Sequence, residues 1–270
     1  MTKKIYFALF AVLLAASAHA QRGWEVGGWV GVSNYFGDLN TRLDLSQTGL
    51  AVGAVARYNF NQRLCLKFSG GYGTVGADDA SSNNAFEKRR NLSFRSRIID
   101  ATAQFEFNFL NYEHGSSDHF FTPYLFGGFS VYNFNPETKY NDKWVALRPL
   151  GTEGQFRGEE YYSTLLGLAY GGGFKIDLTP VWSLNIEVSA RRLFNDYLDD
   201  VSGSYANAAD LEKQRGKIAV ALADRSLLDA EGNKLGQTGR QRGNSQNNDM
   251  YVMTSVGLVY YFGSLDCPKW

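Results

Sequence analysis

The side chains best suited to proton transfer near neutral pH are rare in this chain. Its three histidines are His19, His114 and His119, and histidine is the residue whose unperturbed pKa places its charge change near neutral pH. His114 and His119 flank Asp118, so these three side chains could in principle coordinate a metal ion. The glycine and serines around them instead predict a solvated turn. We therefore expect no catalytic residue, no cofactor and no resident metal, and we do not expect an enzyme.

A second group of residues that could do chemistry is the carboxylate-rich segment 196–200, Asp-Tyr-Leu-Asp-Asp. Carboxylate oxygens are preferred ligands of Ca²⁺, so a divalent cation site is one interpretation. A solvated loop stem is the other, and it is the one that we favour. Residues 206–246, rich in Ala, Gln, Gly, Asn and charge with a helix-like stretch over 218–228, predict a mobile surface loop, with a partner-binding lid as the alternative.

The elements that position these groups are predicted from the alternation at residues 99–109. Ile99 to Phe109 places apolar side chains at odd positions and polar side chains at even positions, which is a strand signature because successive side chains point to opposite faces. Eleven residues at roughly 3.3 Å each, tilted near 45°, span the ~25 Å apolar band of an outer-membrane barrel. A soluble sandwich would show the same alternation.

The N-terminus favours the membrane interpretation. Lys3 and Lys4 precede an apolar run over 5–16, and Ala-His-Ala at 18–20 has the form of a cleavage site, so residues 1–20 predict a secretory signal peptide. The apolar run is shorter than the ~20 residues of a spanning helix. The 27 basic residues balance the 27 acidic ones, so no electrostatic footprint for nucleic acid is present.

Similar alternation predicts eight antiparallel strands in one domain over residues 21–262, followed by a tail at 263–270. The strands are expected over about 23–36, 48–60, 63–76, 91–109, 121–135, 162–178, 182–191 and 249–262. Connections after the second and sixth strands are tight, the one after the fourth (about 110–120) is moderate, and those after the first, third, fifth and seventh are longer. Because outer-membrane barrels have short periplasmic turns and long external loops, both termini are predicted in the periplasm of a Gram-negative bacterium.

The predicted inward face is charged, unlike the apolar interior of a soluble lipocalin-like barrel. Mixed charges can pair across a narrow lumen and fill it, so we expect an all-β, plugged transmembrane barrel and no channel. The inward charged residues are Glu25, Arg57, Lys67, Asp100, Glu106, Lys175, Asp177, Glu187 and Arg191.

Several segments together resemble the PorG-type outer-membrane barrel of the Bacteroidetes type IX secretion system. The most specific is Arg-Arg-Leu-Phe-Asn-Asp-Tyr-Leu-Asp-Asp-Val-Ser-Gly-Ser-Tyr at 191–205. The other resembling segments lie at 35–40, 123–128, 134–136, 242–244 and 248–251. The insertion at 206–241 matches least, and nothing is carried over to it.

The resemblance implies a structural part of a protein secretion machine. Barrels of this family associate with a periplasmic ring of the PorK lipoprotein and the PorN protein, and the system exports proteins with a C-terminal sorting domain. Outer-membrane lipid and this ring are thus the implied partners, with no nucleic acid and no small-molecule substrate. The residues expected at the periplasmic rim are Asn61, Gln62, His114, His119, Pro180, Leu265, Cys267 and Trp270.

The two cysteines, Cys65 and Cys267, are placed near the same predicted rim. An intrachain disulfide would hold the tail over the lumen, provided that the Cα atoms approach within about 7 Å. In the rival interpretation Cys267 bonds a ring subunit and Cys65 is a small buried residue. The alternative to the secretion role is a stand-alone surface barrel, similar to OmpA or OmpX, whose loops at 77–90, 136–161 and 195–248 bind external ligands.

Overall fold

The computed structural model describes residues 22–42 and 44–263 and shows a closed antiparallel β-barrel. The predicted signal peptide (1–20) and positions 264–270 of the predicted tail lie outside the described residues. Leu265, Cys267 and Trp270 belong to that second segment, so their predicted roles stay predictions.

Within the described residues, eight long strands form the barrel in an up-and-down order. Each pairs with its neighbours in the ring, and the first strand pairs with the last. The eight are β1 (Gly23–Phe36), β2 (Gly49–Asn59), β3 (Leu64–Asp78), β4 (Ser93–Asn108), β5 (Phe121–Tyr140), β7 (Thr164–Asp177), β8 (Trp182–Leu193) and β9 (Met250–Gly263). A short strand, β6 (Lys143–Ala146), pairs with the last residues of β5. The predicted eight-stranded barrel is confirmed.

The two faces of the barrel differ as the alternation predicts. On β4, Phe105 exposes 65% of its surface, whereas the neighbouring Glu106 exposes 1%. The outward side chains are mostly apolar and exposed, and the inward ones are mostly polar or charged and buried. This arrangement, apolar outside and polar inside, is that of outer-membrane barrels.

The barrel has two dissimilar ends. What we call the turn end carries Gly23, Gly263 and the connections 60–63, 109–120 and 178–181. What we call the loop end carries the connections 37–48, 79–92, 141–163 and 194–249, which we call the long connections. The second and sixth connections are short, as predicted, whereas 109–120 is as long as 37–48.

β5 extends furthest beyond its predicted end, while β3 and β8 each continue two residues past theirs. β5 continues from the predicted end at 135 to Tyr140 and turns into β6 through Asn141 and Asp142, both with positive φ. The outward residues of this extension, Glu137 and Lys139, are polar. Because the extension lies beyond the apolar band, the apolar outward signal that marked the other strands ends before the strand does.

The longer connections contain three short helices. They are α1 (Ala85–Arg90), α2 (Ala208–Arg215) and α3 (Lys217–Ala223). The predicted stretch 218–228 was too long, because Asp224 adopts extended backbone and its carboxylate accepts hydrogen bonds from the Ser226 and Gly236 amides. None of the helices in the two described ranges is long and apolar enough to cross a membrane.

Candidate functional site

Charged side chains meet inside the barrel in what we call the lumen network. Alternation in six strands directs these side chains inward, and all of the strand residues except Asp177 are buried. The members are Glu25, Arg57, Lys67, Asp100, Glu106, Lys175, Asp177, Glu187 and Arg191, with His114 from a turn. These nine strand residues are the inward charges that the sequence predicts.

Glu106 lies at the centre of the lumen network and contacts three cations. Its Oε2 atom is 2.8 Å from both Arg57 Nε and Lys175 Nζ, and its Oε1 atom is 3.6 Å from Lys67 Nζ. Arg57 also binds Glu25, and Lys67 also binds Glu187. Such a network stabilises buried charges because each one has an opposite partner within contact distance.

A second ion pair lies nearer the loop end of the lumen. Arg191 Nε is 2.7 Å from Asp100 Oδ2, which also accepts a hydrogen bond from the Tyr251 hydroxyl at 3.2 Å. Tyr124 donates to Glu187 Oε2 at 2.6 Å. The two tyrosine hydroxyls thus donate to carboxylate lone pairs that the cations do not use.

His114 completes the lumen network at the turn end. Its Nε2 atom is 3.1 Å from Glu25 Oε1, its Nδ1 atom is 3.0 Å from Asp177 Oδ1, and its ring stacks on Tyr261. Burial opposes protonation, but the hydrogen bonds to Asp177 and Glu25 outweigh it and raise the pKa of His114 to about 9. A charged imidazole donates from both nitrogens, which fits a position between two carboxylates.

The solvated turn predicted around His114 is therefore wrong for this residue, which exposes only 4% of its surface. The connection 109–120 is long enough to fold back into the barrel mouth, so the side chain faces the lumen. His119 is half-buried in the same connection. His114 is thus not on the exposed rim where the sequence placed it.

The other predicted rim residues that the structure describes lie at the turn end. Asn61 Oδ1 accepts from the Arg63 and Leu64 amides, which closes the β2–β3 turn. Gln62 Nε2 donates to Glu113 Oε2 at 2.9 Å and so joins two connections. Pro180 is exposed in the β7–β8 turn.

Cys65 is a buried free thiol on the inward face of β3. Its Sγ atom is 3.6 Å from Lys175 Nζ and 3.7 Å from Asn108 Nδ2. It is therefore a small buried residue of the lumen, as one of the two interpretations expects. Because Cys267 lies outside the described residues, its pairing stays a prediction.

A second group of buried charges, which we call the loop-end cluster, closes the opposite mouth. It combines residues from all four long connections with Tyr35 near the end of β1. The members are Tyr35, Asp38, Asp79, Arg90, Glu153, Asp196, Asp199, Asp200, Arg242 and Asp249. The predicted solvated loop stem at 196–200 is wrong, since Asp196, Asp199 and Asp200 expose 6%, 1% and 2% of their surface.

Tyr35 bridges two carboxyl groups of the loop-end cluster. Its hydroxyl oxygen is 2.6 Å from Asp199 Oδ2 and 2.7 Å from Asp249 Oδ1. A hydroxyl carries one hydrogen, so both contacts are favourable when one of the carboxyls is itself protonated. Burial, and then the charge of Asp38, raises the pKa of Asp199, while burial and Asp199 raise the pKa of Asp249.

Two arginines hold the long connections together. Arg242 Nη1 is 3.1 Å from Glu153 Oε1, and Arg242 Nη2 is 3.8 Å from Asp200 Oδ2. Arg90 pairs with Asp79 at 2.8 Å and donates to the backbone oxygens of Asp38 and Arg242. Each guanidinium thus joins at least three segments that are distant in the sequence.

The loop-end cluster contains more acids than bases. Burial raises the pKa of Asp196 to about 8 and that of Asp200 to about 6, although Arg242 opposes the second shift. Burial also raises the pKa of Asp38. Carboxyls with raised pKa values bind protons more readily, so protons compensate part of this excess. In the described part of the chain, no group of three or more His, Cys, Asp or Glu side chains is arranged to hold a metal ion.

Two glycines of the resembling segments permit this packing. A Cβ at Gly37 would lie 2.0 Å from Asp249 Oδ1, and one at Gly243 would lie 2.3 Å from Asp38 Oδ2. A larger residue at either position would displace a carboxylate. Apolar residues, among them Leu198 and Val201, fill the space around the charges. The connection 194–249 is therefore a folded lid over the loop end.

No curated protein matches this chain. Among solved structures, the chain is similar to Neisserial surface protein A (12% identity, 89% of this chain and 97% of that one, TM-score 0.46). It is also similar to the outer membrane protein OprG of Pseudomonas aeruginosa (11% identity, 92% and 99% covered, TM-score 0.44). A third is Ail, the attachment invasion locus protein of Yersinia pestis (12%, 91% and 100%, TM-score 0.41).

The strand pairing described above establishes the barrel independently of these similarities. A family model described as Domain of unknown function (DUF6089) matches residues 3–218, which include β1 to β8 and α1, α2. This match spans well over half of the chain, and the chain therefore belongs to the family described as Domain of unknown function (DUF6089).

Proposed function

We propose that the protein is a non-enzymatic structural component of a type IX secretion system in the outer membrane. The observation that carries the proposal is the meeting of four of the six resembling segments in one place. Segments 35–40, 191–205, 242–244 and 248–251 all contribute residues to the loop-end cluster. Short matches that together build one buried cluster support a shared structure better than scattered matches do.

The outer-membrane location is supported by the faces of the barrel. On β4 and the residue after it, outward apolar side chains run from Phe109 to Ile99. Ten residues at roughly 3.3 Å each and a tilt of about 40° correspond to about 25 Å along the barrel axis. In the proposed orientation the long connections face outward and the turn end faces the periplasm, as in outer-membrane barrels generally.

The turn end is then the surface that reaches a periplasmic ring formed by the PorK lipoprotein and the PorN protein. Its exposed parts are residues 115–118, Pro180 and its neighbours in the β7–β8 turn, and Arg63. The lid at the loop end is directed away from that ring. A stand-alone surface barrel would instead bind its partners through the loop end.

Site-specific photocrosslinking in the native host separates the two roles. A photoreactive phenylalanine analogue is placed at Asp118 or Pro180 at the turn end and, as the matched control, at Gln237 at the loop end. All three positions are exposed. We expect crosslinks to PorK or PorN from the first two positions and none from Gln237. Crosslinks to external molecules from Gln237, with none to the ring, would overturn the proposal in favour of the surface barrel.

A secretion assay tests the role itself. Cells that lack the protein are expected to retain proteins with a C-terminal sorting domain, and the full chain should restore export. Deletion of residues 263–270 is expected to weaken ring association while the barrel still inserts. Normal export in the absence of the protein would remove it from the secretion pathway.

The lumen is proposed to be closed to ions. Its inward charges are buried and paired, and both Tyr124 and Tyr132 are almost completely buried. In planar bilayers the purified protein should show no stable single-channel openings, because side chains fill so narrow a barrel. Large and stable openings would contradict a plugged barrel.

A further inference from the structure

Cationic side chains lie on the outer face of the barrel, next to the apolar band at the loop end. Arg97 and Arg95 follow Ile99 on the outward face of β4, and Lys139 has the same orientation on β5. Together with Glu137 and Trp144 they form what we call the basic patch. Charged residues on a lipid-facing surface are unfavourable at the bilayer midplane but are accommodated near its edges.

The height of the basic patch follows from the strand geometry. The outward apolar residues from Phe109 to Ile99 account for about 25 Å along the barrel axis, which is the thickness of the apolar band. Arg97 and Arg95 lie two and four residues further along β4. Their guanidinium groups are therefore at the level where lipid headgroups begin.

The side chains of the basic patch are held in place but retain free hydrogen-bond donors. The Arg95 guanidinium carbon lies 3.7 Å from the centroid of the Trp144 ring, and the Lys139 Nζ atom lies 5.5 Å from it. Glu137 accepts from Nη2 of Arg95 at 3.1 Å and from Nη2 of Arg97 at 3.3 Å. The Nε atom of Arg95 is buried. The donors that a ligand can reach are therefore on the exposed parts of the two guanidinium groups, since the Arg97 side chain is 54% exposed and the Arg95 side chain 36%.

A groove of about 340 Å³ adjoins the basic patch. Its lining residues include Thr74, Asp78, Ser93, Arg95, Lys139 and Trp144. Asp78 is the carboxylate of the groove lining and Glu137 that of the basic patch, against the three cations Arg95, Arg97 and Lys139, so the charges of the groove and patch sum to a positive value. The turn at 141–143 adds one acid and one base, which cancel.

We propose that the basic patch binds a phosphate group of the phosphorylated glycolipid in the outer leaflet of the outer membrane. Arginine presents planar donors that match a phosphate, and anionic headgroups attract such clusters at a membrane surface. The acyl chains would lie below on the outward side chains of Tyr72, Ile99 and Val131, which are all exposed. The proposal rests on the proposed outer-membrane location and orientation, not on the secretion role.

The experiment uses the full mature chain, purified free of lipid in detergent. Binding of lipid A with both of its phosphates is measured by native mass spectrometry, with dephosphorylated lipid A and phosphatidylglycerol as comparison lipids. The variants are the double substitution Arg95→Gln/Arg97→Gln and the control Arg192→Gln. Arg192 is an exposed arginine that faces outward near the loop end of β8, three strands from β4.

We expect the double substitution to weaken lipid A binding by at least about tenfold, the effect of losing charge-assisted hydrogen bonds to phosphate. Arg192→Gln should bind as the unmodified chain does, and dephosphorylated lipid A should bind poorly to all forms. The heat-dependent shift on gels shows whether each variant is folded. If the double variant does not fold, Arg97→Gln replaces it, because the Arg97 side chain is the more exposed of the two.

Three results would overturn the proposal. They are unchanged binding by the arginine variants, an equal loss in Arg192→Gln, or phosphatidylglycerol binding as tight as that of lipid A. The lipid-binding measurement contains no secretion component, so a negative result there would leave the proposed secretion role intact. Likewise, failure of the crosslinking to the ring would not affect the lipid measurement.

Discussion

The lumen network and the loop-end cluster are both buried groups of charged residues, yet their charges are compensated differently. In the described lumen, five carboxylates face four lysine and arginine side chains and His114, whose pKa is raised to about 9. In the described loop-end cluster, seven carboxylates face Arg90 and Arg242. Buried charge without a partner is too costly to persist. In the lumen, side chains of opposite charge compensate the buried charges. At the loop end, bound protons compensate part of them.

This difference predicts two kinds of stability. The lumen network should respond mainly to the loss of a partner, and the loop-end cluster should respond to pH as well. The lumen network also joins strands of the barrel, whereas the loop-end cluster joins connections. Damage to the first should unfold the barrel, and damage to the second should open the lid.

The largest effect is expected from Glu106→Gln. The substitution leaves Arg57, Lys67 and Lys175 without their shared carboxylate, and removal of one partner from a buried ion pair costs about 3–5 kcal/mol. Urea titration of the gel-mobility transition in lipid vesicles measures the loss. Glu113→Gln, a half-buried turn-end residue, should change stability by less than about 1 kcal/mol. Equal stability of both variants would argue against a central role for Glu106.

Arg242→Gln should open the lid without unfolding the barrel. Glu153 and Asp200 lose a buried cation, at a cost of about 2–4 kcal/mol that is confined to the connections. Limited proteolysis should cut within 194–249 much faster, while the gel shift of the barrel persists. The control is Arg240→Gln, whose side chain is exposed. Unchanged protection of the lid in Arg242→Gln would contradict its role.

His114→Gln is expected to cost about 1–3 kcal/mol, the range for a hydrogen bond to a charged group. The pKa of His114 is raised from 6.5 to about 9, so its contribution is fully present below pH 6.5 and is lost as pH rises through about 9. The stability difference between the two forms should therefore shrink as the pH rises from 6.5 to 9 and stay constant above it. His119→Gln serves as the control. A difference that grows with pH would show that His114 is not the charged partner.

At low pH, Asp196→Asn is expected to change the stability of the lid less than the substitutions above change stability. Burial raises the pKa of Asp196 from 3.8 to about 8, so the stability of the lid is greatest at low pH and falls as pH rises through about 8. The asparagine variant should lose less protection between pH 6 and pH 9, with a residual dependence from Asp199 and Asp249. Asp210→Asn, in an exposed position on α2, is the control. Identical pH profiles for all forms would exclude Asp196 as a source of the dependence.

The barrel could be predicted from the sequence because strand faces are a local property. Alternation in 23–36 predicts the bounds of β1 as they are found. The same alternation identifies the inward charges, from Glu25 to Arg191. The end of β5 could not be predicted in this way, because Glu137 and Lys139 face outward beyond the apolar band. There, the outward side chains are polar, so the sequence no longer alternates between apolar and polar residues.

The two histidines in the 109–120 connection show the limit of prediction from local sequence patterns. Their neighbours predict a solvated turn for both, and nothing in this segment distinguishes His114 from His119. Only the fold shows that His114 lies between Glu25 and Asp177. Those carboxylates lie on β1 and β7, and closure of the barrel brings both strands next to His114.

The loop-end cluster was decided by the tertiary structure. Leu198 and Val201, apolar residues beside Asp199 and Asp200, are the one sequence signal that this segment could be buried. Its partners come from distant segments, since Tyr35 lies 164 positions from Asp199 and Asp249 lies 51 positions from Leu198. The sequence by itself determined the alternating faces of the strands, since each side chain's direction follows from its own backbone. Burial of the connections depends on which distant segments pack together, and only the closed barrel brings those segments to one mouth.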